Sequence, residues 1–219
     1  MDILLDNIIN KFDYLKSIDD YNILKENSLY IKKNGIYLIC ASVFFSKNDY
    51  VINLLSIWRK EAKTFHNKFN VTAEGTRKWY KNLLLDIQDR ILFFVLDEKE
   101  NFIGHLGFAN LCKKNNFIQI ELDNVIRGEK NTKPGAMSIA CKELINFAFE
   151  DLKVNEVILK TLKSNAHAVN FYKKIGFQEY DKIPLTKIFN DEGFDHKVIL
   201  NNDLIPDDYF ICMKLGKLK

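Results

Sequence analysis

Between residues 91 and 162 the spacing of apolar side chains changes twice, and this restricts the fold more than any other feature of the chain. ILFFVLD (91–97) and NFIGHLGFANL (101–111) are strand-like runs parted by the charged turn DEKEN, the pattern of a hairpin. FIQIELDNVIRG (117–128) is a third strand, whose alternation sorts Ile118, Ile120 and Leu122 to one face and Gln119, Glu121 and Asp123 to the other. The turn EKNTKPGAM opens a long helix that ends near Leu152, and NEVILKTL (155–162) is the next strand. A strand, a helical crossover and a second strand predict parallel neighbours. The expected fold is therefore mixed α/β: a largely antiparallel central sheet with one parallel strand pair, flanked by helices.

The flanking segments fit that scheme. IYLICASVFF (36–45) has the β-branched and aromatic content of a strand. SKNDYVINLLSIWRKEA follows as a helix, with Ser46 or Asn48 as N-cap and Val51, Leu54, Leu55 and Trp58 on its apolar side. TAEGTRKWYKNLLLDI reads as a second helix capped by Thr72, with Trp79, Leu83 and Leu84 on one side. SNAHAVNFYKKIGF (164–177) is a short helix opened by Asn165 and closed before Gly176. Residues 1–35 read as an N-terminal helical extension to a main domain over 36–219, with 181–196 as a loop and YFICMKL as a final strand.

Charge and cysteine usage exclude several function classes. The 32 Lys and Arg residues nearly balance 29 Asp and Glu, and a net charge of +3 is too small for the concentrated basic stripe of a nucleic-acid binder. A few lysines near an anion site suffice for a phosphorylated small molecule. Cys40, Cys112, Cys141 and Cys212 are dispersed, and no two Cys or His have the spacing of zinc ligands, so free thiols and no metal are expected. MDILLDNIINKFDYL has acidic residues where a secretory leader carries basic ones, and no stretch approaches the ~20 apolar residues of a membrane span. The expected location is cytoplasmic, with no membrane partner.

RGEKNTKPGAM delivers a strand into a helix N-terminus, where unpaired N–H groups and partial positive charge attract anions. Gly135 permits close backbone approach, and Lys130 and Lys133 add charge. Further on comes N-x-x-A-V-x-x-Y-x-K-x-G-F, carried by Asn165, Ala168, Val169, Tyr172, Lys174, Gly176 and Phe177. As a set these features resemble the GNAT superfamily of acyl-CoA-dependent N-acetyltransferases. FIGHLGFANL and IELDNVIRGE resemble its third and fourth strands. IWRKEAKTFHNKFNVTAEGTRKWY is similar to the opening of branches that acetylate ribosomal proteins or nucleotide-linked amino sugars. The resemblance spans roughly residues 36–180.

It implies acetyl-CoA as donor and direct attack by the acceptor amine. The thioester carbonyl would be held by a backbone N–H near Asn124 or Val125, beside Ile126. The diphosphate would meet the amides of Gly135, Ala136 and Met137, with Lys130, Asn131 and Lys133 around them. Asn165, Phe171 and Lys174 complete the coenzyme side, and the Tyr172 hydroxyl becomes the general acid beside the sulfur. The base is open among Glu121, Asp123 and His105, with His66 also in reach, and both carboxylates are also consistent with solvated groups or with pairing to lysine.

The acceptor groove implied by the resemblance would gather Trp58, Arg59, His66, Arg77, Trp79 and Tyr80, a mixture suited to a nucleotide base and its diphosphate. The expected acceptor is a nucleotide-linked amino sugar and the expected enzyme a monomer or homodimer. A protein N-terminal acetyltransferase and a non-catalytic GNAT-like binding module are the alternatives. Two positions depart from the pattern: Pro134 replaces a glycine of the pyrophosphate loop, and Thr76 stands where this branch commonly has histidine.

Overall fold

A computed structural model describes residues 3–32, 34–62, 67–68, 70–130, 132–191, 193–200 and 205–217. Helix α1 (Ile3–Ser17) and helix α2 (Tyr21–Glu26) lead into the edge strand β1 (Leu29–Ile31), which pairs with β2 (Ile36–Cys40). The strand expected over 36–45 stops at Cys40. Ser42 Oγ accepts the Phe44 N–H at 3.2 Å and turns the chain into the short helix α3 (Val43–Ser46). Asn48, not Ser46, caps α4 (Asp49–Glu61), its Oδ1 accepting the N–H groups of Tyr50 and Val51.

The two-residue strand β3 (Asn67–Lys68) precedes α5 (Ala73–Trp79), where Thr72 Oγ1 accepts the Gly75 N–H at 3.0 Å. The helix then continues as a π-helical turn over Tyr80–Leu85. The wider turn separates two residues expected to share a face: Leu84 is buried, whereas Leu83 is exposed.

The expected three-strand run follows as β4 (Ile91–Leu96), β5 (Phe102–Lys114) and β6 (Phe117–Arg127). In the β4–β5 turn, Asp97 Oδ1 accepts the N–H groups of Lys99 and Asn101. Then come α6 (Ala136–Glu150), β7 (Glu156–Leu162), α7 (Ala166–Ile175), β8 (Gln178–Asn190), β9 (Gly193–Val198) and β10 (Asp208–Gly216). Most of the stretch expected as the loop 181–196 is thus a β8–β9 hairpin.

Among the described residues a 10-stranded sheet runs β1-β2-β4-β5-β6-β7-β10-β8-β9-β3. Its pairings are antiparallel except β6 with β7, the predicted parallel pair, with Gln119 opposite Glu156 and Glu121 opposite Ile158. Beyond Glu121 and Ile158 the two strands no longer pair, and the sheet opens there.

The core lies on both faces of the sheet. All of β4 is buried, Ile118, Ile120 and Leu122 point inward as their alternation predicts, and α6 buries Ala140, Cys141, Leu144 and Ala148. Ile8, Phe12 and Leu15 of α1 join the same cluster. Each large apolar side chain so buried contributes about 1.5–3 kcal/mol relative to exposure, which holds the first helix to the domain. Among the described residues no helix is long and apolar enough to cross a membrane.

Candidate active site

The opening between β6 and β7 begins at a defect in the ladder. His105 on β5 faces Ile126 and Gly107 faces Asp123, so the single residue Leu106 stands opposite both Asn124 and Val125. This β-bulge places Asn124 at a φ of 52°, a left-handed conformation that asparagine tolerates better than most residues. Asp123 Oδ2 braces it by accepting the Asn124 Nδ2–H at 2.7 Å and the Arg90 guanidinium at 2.9 Å. From the β5 side, His105 Nδ1 lies 2.8 Å from the Asn124 carbonyl oxygen.

The bulge lines a cleft of about 920 Å³ bounded by β6, β7, β9, α4, α5 and α7. Tyr172 reaches it from α7. Asn165 Oδ1 starts that helix by accepting the Ala168 N–H at 3.1 Å, and Gly176, at a φ of 120°, ends it. Tyr172 is only 9% exposed, held by the rings of Phe171 and Phe177 at 5.2 and 5.9 Å. Burial, with Cys141 and Asp123 nearby, pushes its phenol well above 10, so the proton stays on. The hydroxyl makes no hydrogen bond among the described residues.

After β6 the turn is folded by Arg127, which donates to the carbonyls of Glu129 at 3.2 Å and Lys130 at 2.6 Å. Gly135 opens α6 at a φ of 81°, with nothing within 4 Å of where a Cβ would stand. Ala136 N–H donates to the Lys133 carbonyl and Ile139 N–H to that of Gly135, so the Met137 and Ser138 amides sit in the unpaired first turn. The Met137 side chain is buried against Gly104, its Sδ 3.1 Å from the Cβ that glycine lacks.

A bulged strand, a splayed parallel pair and an anion-receptive helix start thus occur together. The profile of the acetyltransferase (GNAT) domain family matches residues 47–178, more than half of the chain. The chain belongs to the GNAT acetyltransferase family. It is an N-acetyltransferase whose donor is acetyl-CoA. Acetyltransferase PseH of Campylobacter jejuni is 26% identical over 162 residues, covering 73% of this chain and 92% of PseH. The crystal structure of C. jejuni PseH in complex with acetyl coenzyme A matches with a TM-score of 0.54 over 84% of this chain and 99% of that one, at 23% identity. Apo FdhC, described as a nucleotide-linked sugar GNAT, has a TM-score of 0.56 at 15% identity, covering 84% of this chain and 88% of its own. Ribosomal-protein-S5-alanine acetyltransferase from Vibrio fischeri has a TM-score of 0.62 at 14% identity, covering 86% and 96%. The structural likenesses speak for the fold.

This GNAT domain thus combines unpaired first-turn amides beside an unobstructed glycine, a bulged strand and a phenol with no hydrogen-bond partner among the described residues. Of the residues expected on the coenzyme side, Asn124, Val125, Ile126 and Asn165 line the cleft. Phe171 packs behind Tyr172, Lys130 and Lys133 stay on the turn, and Lys174 is exposed on α7. Asn131 and His66 lie outside the described residues.

On the other wall, Glu121 and Asp123 both face the cleft. Glu121 Oε2 accepts the Asn110 Nδ2–H at 2.7 Å and lies 3.5 Å from Lys160 Nζ. Arg59 and Trp79 also line it, the guanidinium carbon 4.2 Å from the indole centroid. Arg59 donates to the buried Thr76 Oγ1 at 3.2 Å, which gives that threonine a definite task. Burial pushes Arg59 down to about 10, still fully charged near neutrality.

Four expected site residues are placed elsewhere. Trp58 is 2% exposed and packed against Gly128, and it does not reach the cleft. Tyr80 is a core anchor that donates to the Ser42 carbonyl at 2.9 Å. Arg77 turns outward, paired with Asp49 and donating to the Ser46 carbonyl. His105 is wholly buried and absent from the cleft wall, and burial pushes it down to about 4, which suits neither solvent exchange nor a base.

The cleft also contains residues that sequence reasoning missed: Arg90, Asn110, Lys160, Phe210 and, from β9, Asp195, His196 and Lys197. Lys160 was accessible in principle, because it lies two residues beyond Ile158, the parallel partner of Glu121, and so shares its face. NDEG (190–193) between two short runs was the available signal for the hairpin that carries the β9 residues.

Proposed function

We propose that this GNAT enzyme acetylates the amino group of a nucleotide-linked amino sugar. The observation that carries the reading is the Arg59–Trp79 pair in the cleft wall, a buried cation lying over an aromatic face. A guanidinium held by Thr76 and flanked by an indole suits a diphosphate and a base better than an aliphatic amine chain. Lys160 and Lys197 add positive charge along the same cleft. The likeness to FdhC, described as a nucleotide-linked sugar GNAT, supports the same acceptor class.

Bound acetyl-CoA supplies an activated thioester, so direct attack by an amine needs no nucleophilic serine or cysteine. In this reading the Val125 N–H polarises the carbonyl, a donor worth about 3 kcal/mol in a dry site. Tyr172 holds its proton for the thiol leaving group. Glu121 takes the amine proton through solvent, because Asp123 is committed to Arg90 and Asn124.

A protein N-terminus is the second reading, favoured by the likeness to the S5-alanine acetyltransferase. Against it, Asn67 and Lys68 pair with Asp195 and Phe194, tying the α4–α5 connection to β9 across the acceptor end. That closure fits a compact acceptor. The test is thiol release from acetyl-CoA with UDP-, GDP- and dTDP-linked amino sugars and with N-terminal peptides. Turnover on a nucleotide sugar, with its KM raised in Arg59→Gln, is expected. Preference for peptides overturns the assignment, and CoA binding without turnover on any amine assigns a binding module.

A further inference from the structure

We propose that His105 is the positioning residue of the carbonyl-binding bulge: its Nδ1–H, donated to the Asn124 carbonyl, fixes the Asn124–Val125 peptide so that the Val125 N–H faces the cleft. This rests on the proposed role of that amide. The peptide bonds are all trans, so the C=O of Asn124 and the N–H of Val125 point in opposite directions from one rigid plane. His105 lies on β5 and takes the carbonyl at 2.8 Å, which turns the amide toward β7. There β7 has stopped pairing, since the parallel register ends at Glu121 and Ile158. Asn124 and Val125 are the two residues that the β5 ladder skips, so the ladder itself does not hold this peptide.

The chemistry of the ring agrees. A backbone carbonyl only accepts, so Nδ1 carries the hydrogen, and the ring stays neutral because burial pushes it down to about 4. Its Nε2 is buried with no hydrogen-bond partner among the described residues. Leucine would fill the same space beside Trp58 without stranding a nitrogen, so packing alone does not account for a histidine here.

His105→Asn keeps an N–H near the Nδ1 position, whereas His105→Leu keeps the volume and loses the donor. The readouts are CoA affinity by calorimetry, kcat, and the infrared carbonyl band of bound acetyl-CoA carrying a 13C acetyl carbonyl. His105→Leu is expected to lower kcat about 10- to 100-fold and to move the band toward that of free acetyl-CoA, while CoA affinity stays within about 3-fold. His105→Asn is expected to retain the wild-type band and most of the rate. If His105→Leu does not fold, His105→Gln, whose amide falls near Nε2 instead, takes its place with the same expectation. A wild-type band equal to that of free acetyl-CoA overturns both this inference and the underlying site reading. A shifted wild-type band that persists in the donor-less variant, or equal loss in His105→Asn, overturns the role of His105 alone.

Discussion

A Cβ placed on Gly128 would lie 1.9 Å from Cε2 of the Trp58 indole, so β6 and helix α4 meet at a position that admits no side chain. The indole also donates its Nε1–H to Glu129 Oε1 at 3.3 Å, and its ring centroid lies 6.0 Å from that of His105. Gly128→Ala must displace either the strand end or the indole. It is expected to destabilise the fold by about 1–3 kcal/mol in urea titration. It should also lower kcat, because the shift is transmitted to the ring that holds the bulge. A variant with unchanged midpoint would mean that α4 yields freely.

Tyr80 provides the contrasting case. Its hydroxyl donates to the Ser42 carbonyl at 2.9 Å in the core, where both residues are fully buried. Tyr80→Phe leaves that carbonyl without its partner and is expected to cost about 1–3 kcal/mol of stability. The KM values for acetyl-CoA and the acceptor should not move, since the side chain is absent from the cleft wall. A selective rise in acceptor KM would return Tyr80 to the binding machinery.

His105 also sets a pH dependence of stability. Burial pushes it down to about 4 from an ordinary value of 6.5, against the pull of its bond to Asn124. Above pH 6.5 the ring is neutral in both folded and unfolded chains. Between 6.5 and 4 the unfolded chain takes up the proton and the folded one does not, so stability falls as the pH drops. The loss reaches about 2 kcal/mol by pH 5 and about 3 kcal/mol below pH 4. Wild type should therefore lose about 2 kcal/mol more stability than His105→Asn, read from urea midpoints, on acidification from pH 7.5 to 5. Parallel curves would place the titration elsewhere.

The parts of this architecture that the sequence made legible are those governed by period. Ile118, Ile120 and Leu122 announce β6, and the crossover through α6 announces its parallel partner. Resemblance pointed only to a backbone N–H near Asn124 or Val125; the bulge itself was not foreseen, because Asn124 at positive φ leaves no hydrophobic signature. The β8–β9 hairpin escaped because Gln178–Lys182 are all exposed, so no buried face imposes alternation on them. In α5 the π-helical turn rotates Leu83 away from Leu84, and a 3.6-residue period cannot foresee an inserted residue. Arg77 illustrates composition without direction: the residue type suits an acceptor site, but the helix aims it at Asp49.

The motif places a tyrosine two turns into α7, and the fold presents it to the cleft between Phe171 and Phe177, with its hydroxyl making no hydrogen bond among the described residues. Tyr172→Phe keeps the ring, so both edge-to-face contacts and the volume survive. The variant should fold normally and bind CoA within about 3-fold of wild type, while kcat falls about 100-fold, the scale of a lost general acid. Because burial pushes the phenol well above 10, the wild-type rate should show no alkaline limb from this group below pH 10. A phenol that ionised near pH 8 would contradict the burial seen here. An unchanged kcat in Tyr172→Phe would reduce the tyrosine to a packing residue and leave the leaving group to solvent.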